Sequence, residues 1–284
     1  MNIIRMSSDD LVPAHDSNYV DVGLLALLDD LSYGDPLILK GPKGSGKTLA
    51  AEQWCSQNGV PMVRENCNSG TDESNLIGSF GMQGEDVVFS LGALPLAIET
   101  ANDVGACVLV LEEVNTLRPQ VQSTIFSVAD YRKSVEASFL GRRFELAADS
   151  LLWVLGTMNP GYSGTYQLNE ALRSRFDFVE VLYMPEKKER ELLESTFTTP
   201  PDVKERRIAA GLLQFAAESR THDWTYALST RDLVNTVHKY EKVGLDKALK
   251  ILADKFDPEH RSAIAARVQS VFAINLQEVS LYGS

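Results

Sequence analysis

Apolar and polar positions follow two different patterns along the chain. Up to residue 198, short continuous apolar runs alternate with segments of helical character. Continuous apolar runs of this length are typical of buried parallel strands. Strands are therefore expected at 36–40, 60–65, 107–113, 150–157 and 177–183, and helices at 24–31, 49–57, 94–102, 120–129 and 168–176. Strands alternating with helices predict an α/β domain with a parallel sheet over residues 1–198.

The rest of the chain has a helical pattern. The segment Thr198-Thr199-Pro200-Pro201 is the clearest linker, because two consecutive prolines interrupt a helix. Helices are expected at 185–197, at 203–220, from Ser229 onward, at 245–253 and at 258–276. Ser229 can cap its helix, with Asp232 reaching back in a capping box. We expect residues 199–284 to form a small all-α domain.

Three segments break these patterns. Residues 1–20 look irregular, because Pro13 is followed by a polar cluster. Residues 66–95 contain two short elements around a glycine-containing turn, and these fit either a plain surface hairpin or a functional loop. Residues 131–146 alternate in polarity and predict a hairpin that protrudes from the sheet.

Composition narrows the classes of protein. The 284 residues carry a formal net charge of −12, which opposes binding to nucleic acid by the chain as a whole, although a local basic loop would still allow it. Cys55, Cys67 and Cys107 lack C-x-x-C spacing and predict reduced thiols. No apolar run is long enough to cross a bilayer, and the N-terminus lacks a signal peptide. We therefore expect a cytoplasmic protein without membrane association.

The most specific motif is Gly41-Pro42-Lys43-Gly44-Ser45-Gly46-Lys47-Thr48, placed between a predicted strand and a predicted helix. Glycines let successive backbone N–H groups point at phosphate oxygens, and the helix N-terminus adds partial positive charge. Lys47 can reach the β- and γ-phosphates, and the Thr48 hydroxyl can bind Mg²⁺. The alternative is a glycine loop that arose by chance, which the full pattern in this context disfavours. We therefore predict a nucleoside-triphosphate site.

Polar residues at two other strand ends extend this prediction. Glu112 and Glu113 end a buried apolar run, where carboxylates can hold Mg²⁺ through water and activate an attacking water. Asn159 follows another such run and is a candidate to orient that water. The alternatives are a solvated acid pair and an ordinary Asn-Pro turn.

Taken in order, these motifs resemble those of the AAA+ ATPases. Within them the chain is similar to the MoxR group, and most similar to the CbbQ/NorQ branch. The resemblance assigns the metal-binding and catalytic acids to Glu112 and Glu113 and the first sensor to Asn159. It assigns the arginine finger to Arg173 or Arg175, of which the Ser-Arg-Phe ending favours Arg175; local pairing with Glu170 or Asp177 is the alternative.

The lid of the family carries a second sensor, which matches Arg231. Two further features support the branch. Asn18-Tyr19-Val20 and Met158-Asn159-Pro160-Gly161-Tyr162 are similar to the branch signatures. Residues of about 70–93 then correspond to the helix-2 insert and about 131–147 to the pre-sensor hairpin. One departure is that the family usually has Asp before the catalytic Glu, so Glu112 is one methylene longer.

The resemblance implies a three-layer α/β/α domain with strand order 5-1-4-3-2, followed by a helical lid, with ATP and Mg²⁺ between them. It implies a homo-oligomer, most simply a hexameric ring, because an arginine finger acts on a neighbour's nucleotide. The implied function is a chaperone or activase that remodels or matures a client enzyme with a von Willebrand factor A domain partner. The alternatives are a restriction-type, nucleic-acid-directed motor subunit and a non-hydrolysing scaffold.

Overall fold

A computed structural model describes residues 2–4, 6–16, 22–32, 35–161, 164–222, 224, 226–277 and 279–281. The described residues form two compact units. The first, here called the core unit, comprises the described residues up to Val181 except Pro42–Ser45. The second, here called the helical unit, comprises Pro42–Ser45 and the described residues from Leu182 onward. The branch-signature residues 18–20 and Tyr162 lie outside the described residues.

The core unit alternates strands and helices as the sequence pattern predicts. Its strands are β1 (Asn2–Ile4), β2 (Leu37–Lys40), β3 (Met62–Asn66), β4 (Gly78–Gln83), β5 (Asp86–Leu91), β6 (Ala106–Glu112), β7 (Ser134–Ala137), β8 (Arg142–Glu145), β9 (Leu151–Met158) and β10 (Asp177–Glu180). Its helices are α1 (Val22–Leu31), α2 (Lys47–Asn58), α3 (Glu73–Leu76), α4 (Ala93–Val104), α5 (Pro119–Gln122), α6 (Phe126–Ala129) and α7 (Glu170–Arg173).

A parallel sheet with the order β10-β2-β9-β6-β3 organises the core unit. Numbered among themselves along the chain, these strands have the order 5-1-4-3-2, which confirms the predicted topology. The strand β6, which lies between β9 and β3, is buried from Cys107 to Leu111, as expected of a parallel strand covered on both faces. Because the strands run parallel, β2, β6 and β9 all end at the same edge, where the candidate site residues follow.

Two smaller sheets lie outside the parallel one. β4 and β5 form an antiparallel hairpin within the predicted insert, and β7 and β8 form the predicted hairpin at 131–147. The prediction that residues 1–20 are irregular was wrong at the start of the chain, where β1 pairs in parallel with β5. The helix predicted at 120–129 is divided into α5, a 3₁₀ turn at Ser123–Ile125 and α6.

The helical unit contains α8 (Glu186–Thr196), α9 (Val203–Ser219), α10 (Thr230–Val243), α11 (Leu245–Ala253) and α12 (Arg261–Phe272). The units divide after Val181, whereas the sequence placed the boundary at 198. The reason is packing, because Leu193 of α8 and the following Phe197 belong to the apolar cluster of the helical unit. The linker at 198–201 therefore joins two helices of one unit.

The structure also describes the three cysteines, which were predicted to be reduced thiols, and the helices, none of which was predicted to cross a bilayer. Cys55, Cys67 and Cys107 are free and buried, and burial raises the pKa of the Cys67 and Cys107 thiols to about 12. Thiols of this kind stay protonated and inert near neutral pH. Among the described residues, the structure contains no helix whose length and apolar character would allow it to span a bilayer.

Candidate nucleotide site

The glycine-rich loop leaves β2 at Gly41 and enters α2 at Gly46. The Gly41 amide donates to the Met158 carbonyl at 3.0 Å, which ties the loop to the end of β9. A side chain at Gly41 is excluded, because a Cβ there would lie 1.9 Å from the Val181 carbonyl oxygen. Gly46 is the N-cap of α2, with φ of 90°, and a glycine offers no side chain to cap the first amides of the helix. An uncapped helix N-terminus of this kind suits an anion such as phosphate.

The middle of the loop, Pro42–Ser45, is grouped with the helical unit. Within that unit, Gly44 has φ of 72°, and a Cβ at this position would lie 2.5 Å from the Ser229 Cβ. Both the left-handed backbone and the close approach require glycine. The middle of the loop therefore packs against the first residues of α10.

Lys47, the first residue of α2, connects the loop to a second predicted site residue. Its side chain is buried, and its Nζ donates to the Gly41 carbonyl at 3.0 Å and to Asn159 Oδ1 at 2.8 Å. The amide Nδ2 of Asn159 donates in turn to Glu113 Oε1 at 3.1 Å. The structure thus brings together Lys47, Asn159 and Glu113, which come from α2 and from the ends of β9 and β6.

The backbone at Glu113 turns sharply after β6. Glu113 has φ of 51° and ψ of 42°, a left-handed conformation that is uncommon for a residue with a side chain. Its amide donates to Thr157 Oγ1 at 3.1 Å, which fixes the turn to the neighbouring strand β9. Asn115, which is buried, donates from Nδ2 to the Asn159 carbonyl at 3.0 Å. Strained backbone held by surrounding bonds is typical of functional sites.

Glu112 lies beside Thr48. Arg64 Nε lies 3.3 Å from Glu112 Oε1. Burial raises the pKa of the Glu112 carboxyl, and the nearby Arg64 charge and the Thr48 hydroxyl oppose that rise. A hydroxyl and a carboxylate side by side next to a phosphate-binding loop are suitable ligands for Mg²⁺. The residues present therefore fit a magnesium ion.

The two candidate finger arginines differ in their surroundings. Arg173, at the end of α7, is exposed, and its side chain takes part in no hydrogen bond or ion pair within the described residues. Arg175 is partly buried, and its Nε donates to Asp130 Oδ2 at 3.2 Å. The local partner of Arg175 is therefore Asp130, whereas the sequence alternative named Glu170 or Asp177.

In the helical unit, Arg231 is exposed at the start of α10. The predicted capping box is present, because Ser229 Oγ accepts from the Asp232 amide and Asp232 Oδ2 accepts from the Ser229 amide. Asp232 also forms an ion pair with Lys255. Burial alone would raise the pKa of the Asp232 carboxyl, but the bonds from Lys255 and Ser229 outweigh it and lower that pKa. These bonds fix the backbone that carries Arg231.

Comparison with known proteins places this site in a family. Residues 36–176 match the AAA domain (dynein-related subfamily). Residues 36–176 form an AAA domain. The matched stretch begins just before β2 and ends just after Arg175, so it contains the glycine-rich loop, both acids, Asn159 and both candidate finger arginines. ATPase activity is the general activity that this match supports.

Several bacterial proteins are similar over much of this chain. The uncharacterized protein SH1500 of Staphylococcus haemolyticus is 27% identical over 78% of this chain and 85% of its own length. The uncharacterized protein YojN of Bacillus subtilis is 31% identical over 63% of this chain, and the match spans 56% of YojN. A crystal structure from Cytophaga hutchinsonii covers 97% of this chain and 93% of its own, with a TM-score of 0.49 and 17% identity.

The AAA domain also contains site residues that the sequence analysis missed. Thr157 and Asn115 fix the backbone of Glu113 and Asn159, and Arg64 contacts the Glu112 carboxylate. Each lies more than 40 positions in sequence from the residue it contacts, so no local motif identifies it. One available signal was a polar side chain next to a buried strand end, which Asn115 and Thr157 both provide.

Proposed function

We propose that this chain is a Mg²⁺-dependent ATPase of the MoxR type, which works as an oligomeric ring and remodels or matures a client protein. The observation that carries the proposal is the connected series Lys47–Asn159–Glu113, with bonds of 2.8 and 3.1 Å. It joins a phosphate-binding lysine to a carboxylate through one amide side chain. A solvated acid or an ordinary turn would have no reason to form this series.

Each residue of the series has a distinct chemical role in ATP hydrolysis. Lys47 binds phosphate oxygens, and Glu113 accepts a proton from the attacking water as it approaches the γ-phosphorus. Asn159 orients the Glu113 carboxylate and that water. Thr48 and Glu112 would hold Mg²⁺, which when bound neutralises charge on the phosphates. The carboxylate of the longer Glu112 side chain lies 3.3 Å from Arg64 Nε, so an opposite charge is beside it.

The ring follows from the arginines. Arg175 lies on the core unit after α7, and by resemblance it would act on the nucleotide of a neighbouring copy. A finger that acts in trans requires contact between copies, and closed symmetry is the usual solution. The role of Arg231 as a second sensor stays a prediction.

A protein client is supported by the surface of the two inserts. Phe80 and Phe89 of the β4–β5 hairpin and Phe139 at the tip of the β7–β8 hairpin form an aromatic cluster, with ring centroids 5.3 to 6.1 Å apart. Phe80, Met82 and Phe139 are each about half exposed or more. Exposed apolar side chains that lie together favour a protein partner over a phosphate backbone. By resemblance, a von Willebrand factor A domain protein is the expected companion.

Glu113→Gln tests the catalytic assignment. The amide keeps the shape of the side chain but cannot take a proton, so turnover should fall about 100-fold or more while ATP binding persists. Glu85→Gln, at the exposed turn between β4 and β5, is the matched control and should hydrolyse ATP normally. Unchanged turnover in Glu113→Gln would contradict the assignment. Stimulation of turnover by DNA, and not by a partner protein, would favour the nucleic-acid-directed alternative.

A further inference from the structure

Arg175 is fixed by three contacts within the core unit. Its Nε donates to Asp130 Oδ2 at 3.2 Å, and its Nη1 donates to the Ala171 carbonyl at 2.6 Å. Its guanidinium also lies over the Phe126 ring, 4.9 Å from the centroid. An arginine side chain has many rotamers, and holding one of them costs up to about 2 kcal/mol. These three contacts offset that cost before the side chain meets any other group.

Asp130 is itself firmly placed. It follows α6 directly, and its Oδ1 accepts from the Arg132 amide at 3.0 Å. The Arg132 guanidinium also donates to this carboxylate, from Nη2 to Asp130 Oδ2 at 2.7 Å. These bonds from Arg132, aided by the bond from Arg175, hold the pKa of Asp130 well below its usual range, so the carboxylate is ionised.

The remaining donors of Arg175 are available for another partner. Within the described residues, its Nη2 group takes part in no hydrogen bond, whereas Nε and Nη1 are both engaged. The side chain lines an open cavity of about 450 Å³, together with Tyr131, which is 92% exposed. The guanidinium is thus held along one side and left free at one nitrogen. That is the arrangement that a group presented to a phosphate oxygen requires.

We propose that Asp130 is a positioning residue for Arg175, and that it orients the guanidinium toward the γ-phosphate of a nucleotide bound by a neighbouring copy of this chain. This inference rests on the proposed function, because it takes Arg175 to act in trans. In this proposal Asp130 acts through Arg175 and not on the substrate itself. It acts by lowering the entropic cost of bringing Arg175 into the transition state, so its effect falls on turnover more than on ATP affinity.

Mixed oligomers separate the finger from the site it serves. Glu113→Gln copies keep Arg175 but cannot hydrolyse ATP, and Arg175→Ala copies keep the hydrolytic residues but lack the finger. Mixing the two in equal amounts should restore ATPase activity, which neither shows alone. Repeating the mixture with a Glu113→Gln/Asp130→Asn donor tests the inference. We expect the restored rate to fall about tenfold, the equivalent of one charge-assisted hydrogen bond, with the KM for ATP unchanged.

Asp130→Asn is chosen because its carboxamide oxygen still accepts from the Arg132 amide, so the local turn is preserved. If thermal melting shows that this variant does not fold, Asp130→Ser is the second variant, because its hydroxyl oxygen provides an acceptor in a smaller side chain. The matched control is Glu113→Gln/Asp177→Asn. Asp177 lines the same cavity and loses the same charge, but it does not bond to Arg175, so this donor should restore the full rate.

The outcomes are distinguishable. Full restoration by the Asp130→Asn donor would refute the positioning role of Asp130 and leave the trans role of Arg175 intact. No restoration by the Glu113→Gln donor itself would refute the trans role of Arg175, and the positioning role with it. A similar loss with the Asp177→Asn donor would show a general effect of charge and would also overturn the inference.

Discussion

Changing Asn159 to Asp tests the central feature of the site with almost no change in shape. The Asn159 side chain accepts from Lys47 at 2.8 Å and donates to Glu113 at 3.1 Å. An aspartate keeps the first contact and makes it an ion pair. It converts the second contact from a hydrogen bond into a repulsion between two carboxylates.

The two electrostatic changes nearly cancel for folding. At an effective dielectric constant of about 20, unit charges at the distance of the Lys47 contact attract by about 6 kcal/mol, and those at the distance of the Glu113 contact repel by about 5 kcal/mol. The net change is therefore within about 1 kcal/mol, and the protein should remain folded. Catalysis should not survive equally well. The donor to Glu113 is lost and Lys47 is held by a full negative charge, so turnover should fall about 100- to 1,000-fold, as when one preorganised donor is removed.

Three measurements check this reasoning. Thermal melting should shift by only a few degrees, steady-state ATP turnover should collapse, and the affinities for ATP and ADP should converge, because Lys47 no longer favours the γ-phosphate. Asn159→Ala is the comparison variant, since it removes both contacts without adding charge. Turnover near the wild-type rate in Asn159→Asp would refute the role assigned to the series. A loss of several kcal/mol in stability would refute the cancellation of charges.

Three other perturbations have defined outcomes. Gly41→Ala should prevent stable folding, because the added Cβ would lie 1.9 Å from a backbone oxygen. In Gly46→Ala the added Cβ would meet nothing within 4 Å, so this variant should lose only about 1–2 kcal/mol of folding stability to left-handed backbone strain. Denaturant melts of the two variants measure the difference. Arg220→Met should destabilise the helical unit by about 3–5 kcal/mol, because it leaves the buried Glu189 carboxylate without its ion-pair partner, and a double variant with Glu189→Met should recover much of that loss by the same assay. The pKa of Asp232 is lower in the folded protein than its unfolded value of about 3.9, so its ionised carboxylate stabilises the fold. That stability is fully present above about pH 3.9 and is lost as the pH falls through the lower folded pKa. Asp232→Asn should therefore flatten the acid limb of a pH–stability curve measured below about pH 4.

The sequence was sufficient for the features that local physics dictates. Buried parallel strands have continuous apolar runs, and a phosphate-binding loop has an ordered set of glycines, so β6 and the loop from Gly41 could both be placed from the residues alone. The same holds for the capping box at Ser229 and Asp232, whose two partners lie three positions apart. In each case the residues that determine the local structure lie close together in one short stretch of the sequence.

What the sequence could not show depends on contacts between distant elements. The helix α8 has the same amphipathic pattern whichever core it covers, and only its packing through Leu193 assigns it to the helical unit. Residues 2–4 form a strand because the edge of β5 is available for pairing, and β5 lies more than 80 positions away in the sequence. The local partner of Arg175 could not be found in the sequence for the same reason, because Asp130 lies 45 positions before it, whereas the alternative considered there was pairing with the nearer Glu170 or Asp177.

The contacts of Asn159 also bear on how a site of this kind distinguishes its nucleotides. Both polar atoms of the side chain are engaged, one with Lys47 and one with Glu113. A γ-phosphate bound by Lys47 would share the ammonium donors with Asn159 Oδ1, because an ammonium has three N–H donors, and the amide would keep its bond to Glu113. ADP has no γ-phosphate and would leave those donors to Asn159 and the Gly41 carbonyl. In the proposed mechanism Asn159 therefore connects the lysine that binds the terminal phosphate to the proposed base, and the ATP and ADP affinities are expected to converge in Asn159→Asp because its full charge would hold Lys47 whichever nucleotide is bound.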